Sequence, residues 1–281
     1  MVSTAWLEER LKGPGIRVVD GSWYLPGSGR DAVTEYLAGH IPGAVFFDLD
    51  ASSDTSTSLP HMLPSPEAFA SRMSSLGLND TDDLVIYDGS GANLSAARVW
   101  WTFRVFGHAR VSVLDGGLGK WGAEKRPVEQ GMVTLAPGRF TARLAGNLVR
   151  DLADMLANVR GRREQVVDLR PEGRFIGRDP EPRPGLRVGH MPGSRNFPYT
   201  DLVAADGTIL PEDELRRRLT AAGIDLSRPV VATCGSATSA CALVLALELL
   251  GHRNTAVYDG AWSEWGGLPD TPVETGPSKE N

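Results

Sequence analysis

Val230-Val-Ala-Thr-Cys-Gly-Ser-Ala-Thr-Ser-Ala240 runs from a short β-branched segment, through one cysteine and a string of small residues, into a long aliphatic stretch. A strand that is apolar throughout has both faces buried, the mark of a parallel sheet covered by helices. The stretch 238–250 reads as the helix that follows it. A cysteine at this junction stands at the carboxyl end of a parallel strand, where open α/β folds place their ligands. Residues 234–239 are all small or hydroxylated, so their backbone amides can turn inward as an anion nest, reinforced by the helix dipole. Such a nest favours a thiolate nucleophile and equally suits the negative outer sulfur of a persulfide. A cysteine at a strand end can also be simply a small buried hydrophobe, and the loop alone does not decide between the two. Cys241, on the aliphatic helix, reads as core.

Working outward, the segment has a counterpart in Leu84-Val-Ile-Tyr-Asp-Gly-Ser90. Val18-Val-Asp20 recurs as Val166-Val-Asp168, and Gly39-His-Ile-Pro-Gly43 as Gly189-His-Met-Pro-Gly193. Gly107-His108, Leu114-Asp-Gly116 and Trp121-Gly122 recur as Gly251-His252, Tyr258-Asp-Gly260 and Trp265-Gly266. Matches in one order, offset by 144 to 150 residues, describe a tandem duplication. Strands are expected at 17–20, 44–47, 84–87 and 111–114, and again at 165–168, 194–197, 229–233 and 255–258. Helices are expected at 66–76, 92–106, 148–159, 211–222 and 238–250. The fold class is α/β: two tandem domains, each a parallel sheet with helices on both faces. We place the domains at 1–125 and 146–269, with a Pro/Gly-rich linker at 126–145 and a flexible tail at 270–281.

At 281 residues, 41% hydrophobic and 23% charged, the chain suits two soluble domains. A net charge of −6 gives nucleic acid and anionic membranes no general reason to bind. The longest apolar run, 240–250, is interrupted by Glu248 and is too short to span a bilayer. The first residues lack an apolar h-region and carry Glu8 and Glu9, so a capped amphipathic helix starting at Ser3 or Thr4 and a cytoplasmic location are expected. Cys234 and Cys241 are too few for a disulfide framework, and neither belongs to a cluster of metal ligands. No metal or organic cofactor is expected.

The duplication, both Gly-His-x-Pro-Gly motifs, the Tyr258-Asp-Gly-Ala-Trp-Ser-Glu-Trp265 ending and the six-residue cysteine loop together resemble the two-domain rhodanese/mercaptopyruvate sulfurtransferase family, from Val2 to about Pro269. The resemblance implies two rhodanese-like domains, of which the second is catalytic; Asp88 stands in the first where Cys234 stands in the second. It implies a sulfurtransferase that moves sulfur through a Cys234 persulfide to cyanide or a thiol, with a thioredoxin-like or other protein thiol among the acceptors. Thiosulfate enzymes of the family carry basic residues after the cysteine, whereas mercaptopyruvate enzymes carry Gly-Ser. Gly235-Ser236 therefore points to 3-mercaptopyruvate as the small-molecule donor, with thiosulfate:cyanide transfer, or a non-catalytic sulfur-relay module, as alternatives. Ala237-Thr238-Ser239 replaces the usual Gly-Val-Thr, which matters if position 237 requires a positive φ.

By the same resemblance Arg174 and Arg183 hold the keto-acid donor, a role suited to guanidinium groups. Without it they would read as solvated loop arginines paired with Asp179 or Glu181. Asp50, His61 and Ser236 fall on a proposed Asp–His–Ser relay that would protonate the departing enolate. His40 and His190, Asp115 and Asp259, and Trp121 and Trp265 occur in both halves, so they are expected to be structural. Two rival chemistries fit less well. A cysteine phosphatase would want an arginine closing the loop, and a cysteine hydrolase would want a histidine beside Cys234.

Overall fold

Every residue of β8 (Val230–Thr233) and β9 (Thr255–Tyr258) is buried, as strands covered on both faces must be. The computed structural model describes residues 1–11 and 13–278. The chain forms two units. Unit 1 comprises Met1–Ser56, Leu63–Ala145 and Val203–Ile209; unit 2 comprises Thr57–Met62, Gly146–Leu202 and Leu210 onward.

Unit 1 carries a four-stranded parallel sheet in the order β2-β1-β3-β4, from β1 (Ile16–Asp20), β2 (Val45–Phe46), β3 (Asp83–Tyr87) and β4 (Val111–Val113). On one face Val18, Val85 and Tyr87 pack with Leu7 of α1 (Thr4–Arg10) and Trp121 of α5 (Gly117–Ala123). On the other lies α4 (Leu94–Val105), whose Val99 approaches the Gly21 backbone beside Ile86. Ser3 caps α1 by accepting from Trp6 N at 3.2 Å.

Unit 2 carries five parallel strands in the order β5-β9-β8-β6-β7, adding β5 (Val149–Arg150), β6 (Gln165–Asp168) and β7 (Arg195–Asn196). Val166, Val231, Ala256 and Tyr258 pack against Met155 of α6 (Leu152–Gly161) and against Trp262 and Trp265 of α10 (Ala261–Trp265). The aliphatic α9 (Thr238–Leu249) lies against β8 and β9. Full burial of side chains of this size contributes roughly 1.5–3 kcal/mol each.

The architecture is the α/β one expected, with four differences. The helix expected from residue 148 begins at Leu152, because Asp151 accepts from Asp154 N and caps it, and Val149–Arg150 instead pairs with β9. Four helices carried no readable period: α2 (Ala32–Ala38), α5, α7 (Glu172–Phe175) and α10 have seven residues or fewer. Residues 126–145 are not a free linker. Glu129 pairs with His40 through two backbone hydrogen bonds, and Phe140 is buried among Phe69, Phe103 and His108. Nor is the tail frayed from residue 270. Glu274 pairs with His190 just as Glu129 does with His40, and Gly276 N donates to Ile176 O at 2.9 Å. Residues 279–281 of the expected tail lie outside the described residues.

These two segments are equivalent straps. Trp121 Nε1 donates to Pro127 O at 2.7 Å, and Trp265 Nε1 to Pro272 O at 2.8 Å. His40 and His190 are buried, place Nδ1 on the carbonyls of Tyr36 and Phe175, and stack on the same two rings. Gly43 and Gly193, closing the two motifs, both adopt φ +74, which glycine adopts without penalty. The repeated histidines and tryptophans thus hold the straps, the structural role expected of them. Among the described residues no helix is long and apolar enough to cross a membrane, and no three potential metal ligands cluster.

Candidate active site

Cys234 follows the last residue of β8, is 3% exposed, and is a free thiol, as is the fully buried Cys241. The four carbonyls of residues 234–237 are each held by a donor. Cys234 O accepts from Trp262 N at 3.0 Å, and Gly235 O from Ser263 N at 2.9 Å and Ser263 Oγ at 2.7 Å. Ser236 O lies 3.2 Å from His61 Nδ1, and Ala237 O accepts from Cys241 Sγ at 3.1 Å. A peptide N–H points opposite to the carbonyl of the residue before it, so anchoring these carbonyls turns the following amides the other way. Among the described residues no protein acceptor takes the amides of Gly235, Ser236 or Ala237. The first-turn amides of α9 add their share, since a helix start leaves its own N–H groups unpaired. Ala237 has φ +57 and ψ +10, so the position does demand the left-handed region. Ala261, φ +50, does the same on the segment that holds Cys234 O.

Gly235 and Ser239 are the partly exposed members of the loop; Ser236, Ala237 and Thr238 are buried. A Cβ at Gly235 would lie 3.1 Å from Arg174 Nη2 and 4.0 Å from Arg183 Nη1. Both arginines singled out from the sequence therefore stand against the cysteine loop, and Gly235 is the residue that leaves them room. Arg174 is also paired with Glu181, through Nη2 at 2.5 Å and Nε at 3.1 Å. Arg178 pairs with Asp179, as a surface residue would. Arg187 donates to the carbonyls of Trp265, Gly266 and Thr271 and fastens the second strap.

His61 is 3% exposed and lies in unit 2 with the loop. Its Nδ1 faces the Ser236 carbonyl and, at 3.1 Å, the Thr238 hydroxyl. A carbonyl only accepts, so the hydrogen bond to Ser236 O places the imidazole proton on Nδ1. Asp50 lies in unit 1, where its carboxylate accepts from Trp23 Nε1 at 3.0 Å.

Sequence reasoning missed Arg170 as a site residue and saw Glu181 only as a surface partner. The Asp168, Arg170 and Glu181 side chains are 2%, 1% and 2% exposed. Arg170 grips Asp168 in bidentate fashion, at 2.6 Å from Nη2 to Oδ2 and 3.1 Å from Nε to Oδ1, and reaches Glu181 Oε1 through Nη1 at 2.7 Å. Burial works against the guanidinium charge, but Asp168 and Glu181 outweigh it and hold the Arg170 pKa above its ordinary value. Asp168 recurs as Asp20, but nothing in the repeat signalled its partner, because Ser22 occupies the position of Arg170 in unit 1.

The rhodanese-like domain family matches residues 3–124 and 149–268, most of the chain. The chain belongs to this family. Rat 3-mercaptopyruvate sulfurtransferase is 46% identical over 270 residues, covering 94% of this chain and 91% of the rat protein. The thiosulfate sulfurtransferase of Cricetulus griseus is 43% identical over 286 residues, covering 99% and 96%. The crystal structure of SseA, a 3-mercaptopyruvate sulfotransferase of Escherichia coli, superposes with a TM-score of 0.86 at 41% identity, covering 94% of this chain and 99% of that one.

In the first rhodanese-like domain the counterpart of Cys234 is Asp88, 1% exposed. Its carboxylate accepts from Ser90 N and Oγ at 2.9 and 2.7 Å, from Ser95 Oγ at 3.0 Å and from Ala96 N at 2.8 Å. The first loop thus fills its own nest with a carboxylate. In the second rhodanese-like domain the same place holds a thiol.

Proposed function

We propose that this sulfurtransferase takes sulfur from 3-mercaptopyruvate and carries it as a persulfide on Cys234. The observation that supports this most is the closeness of two guanidinium groups, Arg174 and Arg183, to Gly235, one residue from the thiol. Guanidinium groups grip a carboxylate and polarise the neighbouring carbonyl, which is the layout of a 2-keto acid. The sulfur of such a donor then lies toward Cys234.

The Cys234 thiolate attacks the donor sulfur, forming an S–S bond as the C–S bond breaks. The electron pair leaves with the carbon as the enolate of pyruvate, whose oxygen the arginines stabilise. The sulfhydryl proton of the new persulfide passes to the enolate carbon by way of the Ser236 hydroxyl, and pyruvate departs. His61 holds this stretch through the Ser236 carbonyl and the Thr238 hydroxyl. The negative outer sulfur rests on the amides of residues 235–239. Cyanide, a small thiol or a protein thiol of thioredoxin type then attacks the outer sulfur and releases the Cys234 thiolate. The two half-reactions predict ping-pong kinetics.

A basic residue at position 235, as in thiosulfate enzymes, would project its Cβ to 3.1 Å from Arg174 Nη2 and add repulsion to crowding. This supports the keto-acid donor over thiosulfate. Thiocyanate formation from cyanide is therefore expected to be faster with 3-mercaptopyruvate than with thiosulfate, and to vanish in Cys234→Ser. Equal or greater rates with thiosulfate would reverse the donor assignment, and activity surviving in Cys234→Ser would remove the nucleophile.

A further inference from the structure

The donor-gripping arginine is not held by the loop it touches. Arg174 donates from both Nε and Nη2 to one oxygen of Glu181, Oε2, while the other oxygen, Oε1, takes Arg170. Arg170 in turn is fixed on every side. It is bidentate to Asp168 at the end of β6, donates to Gly189 O at 2.7 Å, and lies 4.2 Å over the Trp262 ring. Trp262 is the residue whose backbone N–H holds Cys234 O. Arg170 therefore braces both sides of the site, one through Glu181 to Arg174 and one through Trp262 to the cysteine. The charges alternate along Asp168, Arg170, Glu181 and Arg174. Glu181 thus offsets the positive charge of Arg174, and what it supplies to donor binding is geometry. Arg174 is the one member that reaches solvent, its side chain 21% exposed.

We propose that Glu181 is a positioning residue for the sulfur donor, setting the place of Arg174 relative to Cys234, with Arg170 as its buried anchor. The inference rests on the reading of Arg174 as a donor-binding group. A planar guanidinium held along its Nε–Nη2 edge presents its remaining edge in one direction, which is what bidentate recognition of a carboxylate needs.

The test uses the full-length enzyme with Glu181→Gln, which keeps the shape and loses the charge, and Glu181→Asp, which keeps the charge and retracts it by one methylene. In both, KM for 3-mercaptopyruvate is expected to rise about tenfold while kcat stays within about twofold. The cyanide half-reaction is expected to be unchanged, and Glu181→Gln is expected to add nothing to Arg174→Ala. A fall in kcat at constant KM, or losses that add to those of Arg174→Ala, would mean a merely structural carboxylate and overturn the proposal. Amide hydrogen exchange, read without any donor, separates this proposal from the donor assignment. Faster exchange over residues 172–183 in Glu181→Asp, with β8 and β9 unchanged, supports the positioning role even if the wild type prefers another donor. Unchanged exchange over 172–183 overturns it.

Discussion

Two alanines in left-handed conformation flank the reactive loop, Ala237 within it and Ala261 on the segment that pins Cys234 O. An L-residue pays roughly 1–2 kcal/mol for that backbone, and glycine is largely spared. The strain is held by the surroundings: Ala237 O is tied to Cys241 Sγ, and both alanines are fully buried. Ala237→Gly is accordingly expected to stabilise the enzyme by about 1 kcal/mol, less the glycine's larger unfolded-state entropy, and to leave the donor KM unchanged. Urea unfolding and donor titration of the one variant check both; a loss of stability would mean that the Cβ contributes packing that outweighs the strain. The sequence raised a left-handed residue at 237 only as a condition, through the glycine that the resembling family carries there; Ala237 at φ +57 meets it. The charged chain behind Arg174 was not legible at all. Asp168, Arg170 and Glu181 become partners only when β6 and the loop after α7 are brought together, and no periodicity records a buried ion pair.

At the scale of elements, the central strands were readable because each is a short, largely apolar and buried run, and β6 and β9 fall on their expected residues. Val149–Arg150, polar at one of its two positions and half-buried, reads instead as part of the following helix. The straps after α5 and α10 were not readable. Their order comes from backbone hydrogen bonds and from two tryptophan indoles, neither of which leaves a pattern in the sequence. Each strap pairs with the histidine of a Gly-His-x-Pro-Gly motif, which makes those histidines part of the strap's stability. Burial lowers the pKa of His190 from 6.5, its bond to Phe175 O only partly offsetting the effect, and burial also lowers that of His108. A histidine depressed on folding binds its proton more weakly in the folded than in the unfolded chain. Its contribution is therefore complete above pH 6.5 and is lost as pH falls through the lower folded value. The thermal midpoint is expected to drop between about pH 7 and about pH 5, and to drop less steeply in His190→Asn, which starts from a lower midpoint at neutral pH. An equal slope in the variant, followed by circular dichroism, would assign the acid sensitivity to other groups.

On the scale of the whole molecule, duplication has produced two loops of one design with opposite contents. In unit 1 the four donors around Asp88 are spent on a carboxylate that belongs to the chain itself, so that loop has no room to hold a transferred atom. In unit 2 the carbonyls are turned away, the amides of Gly235 to Ala237 have no protein acceptor among the described residues, and the group at the centre is a thiol. Cys241, the other thiol, is fully buried and donates its S–H to Ala237 O. The asymmetry makes a sharp claim: sulfur is carried at one residue. The most direct measurement is intact and peptide mass spectrometry of the enzyme after brief exposure to 3-mercaptopyruvate and removal of the excess. A gain of one sulfur atom is expected, located at Cys234, lost on adding cyanide and absent in Cys234→Ser; an unmodified Cys234, or sulfur found at Cys241 instead, would rule out Cys234 as the sulfur carrier.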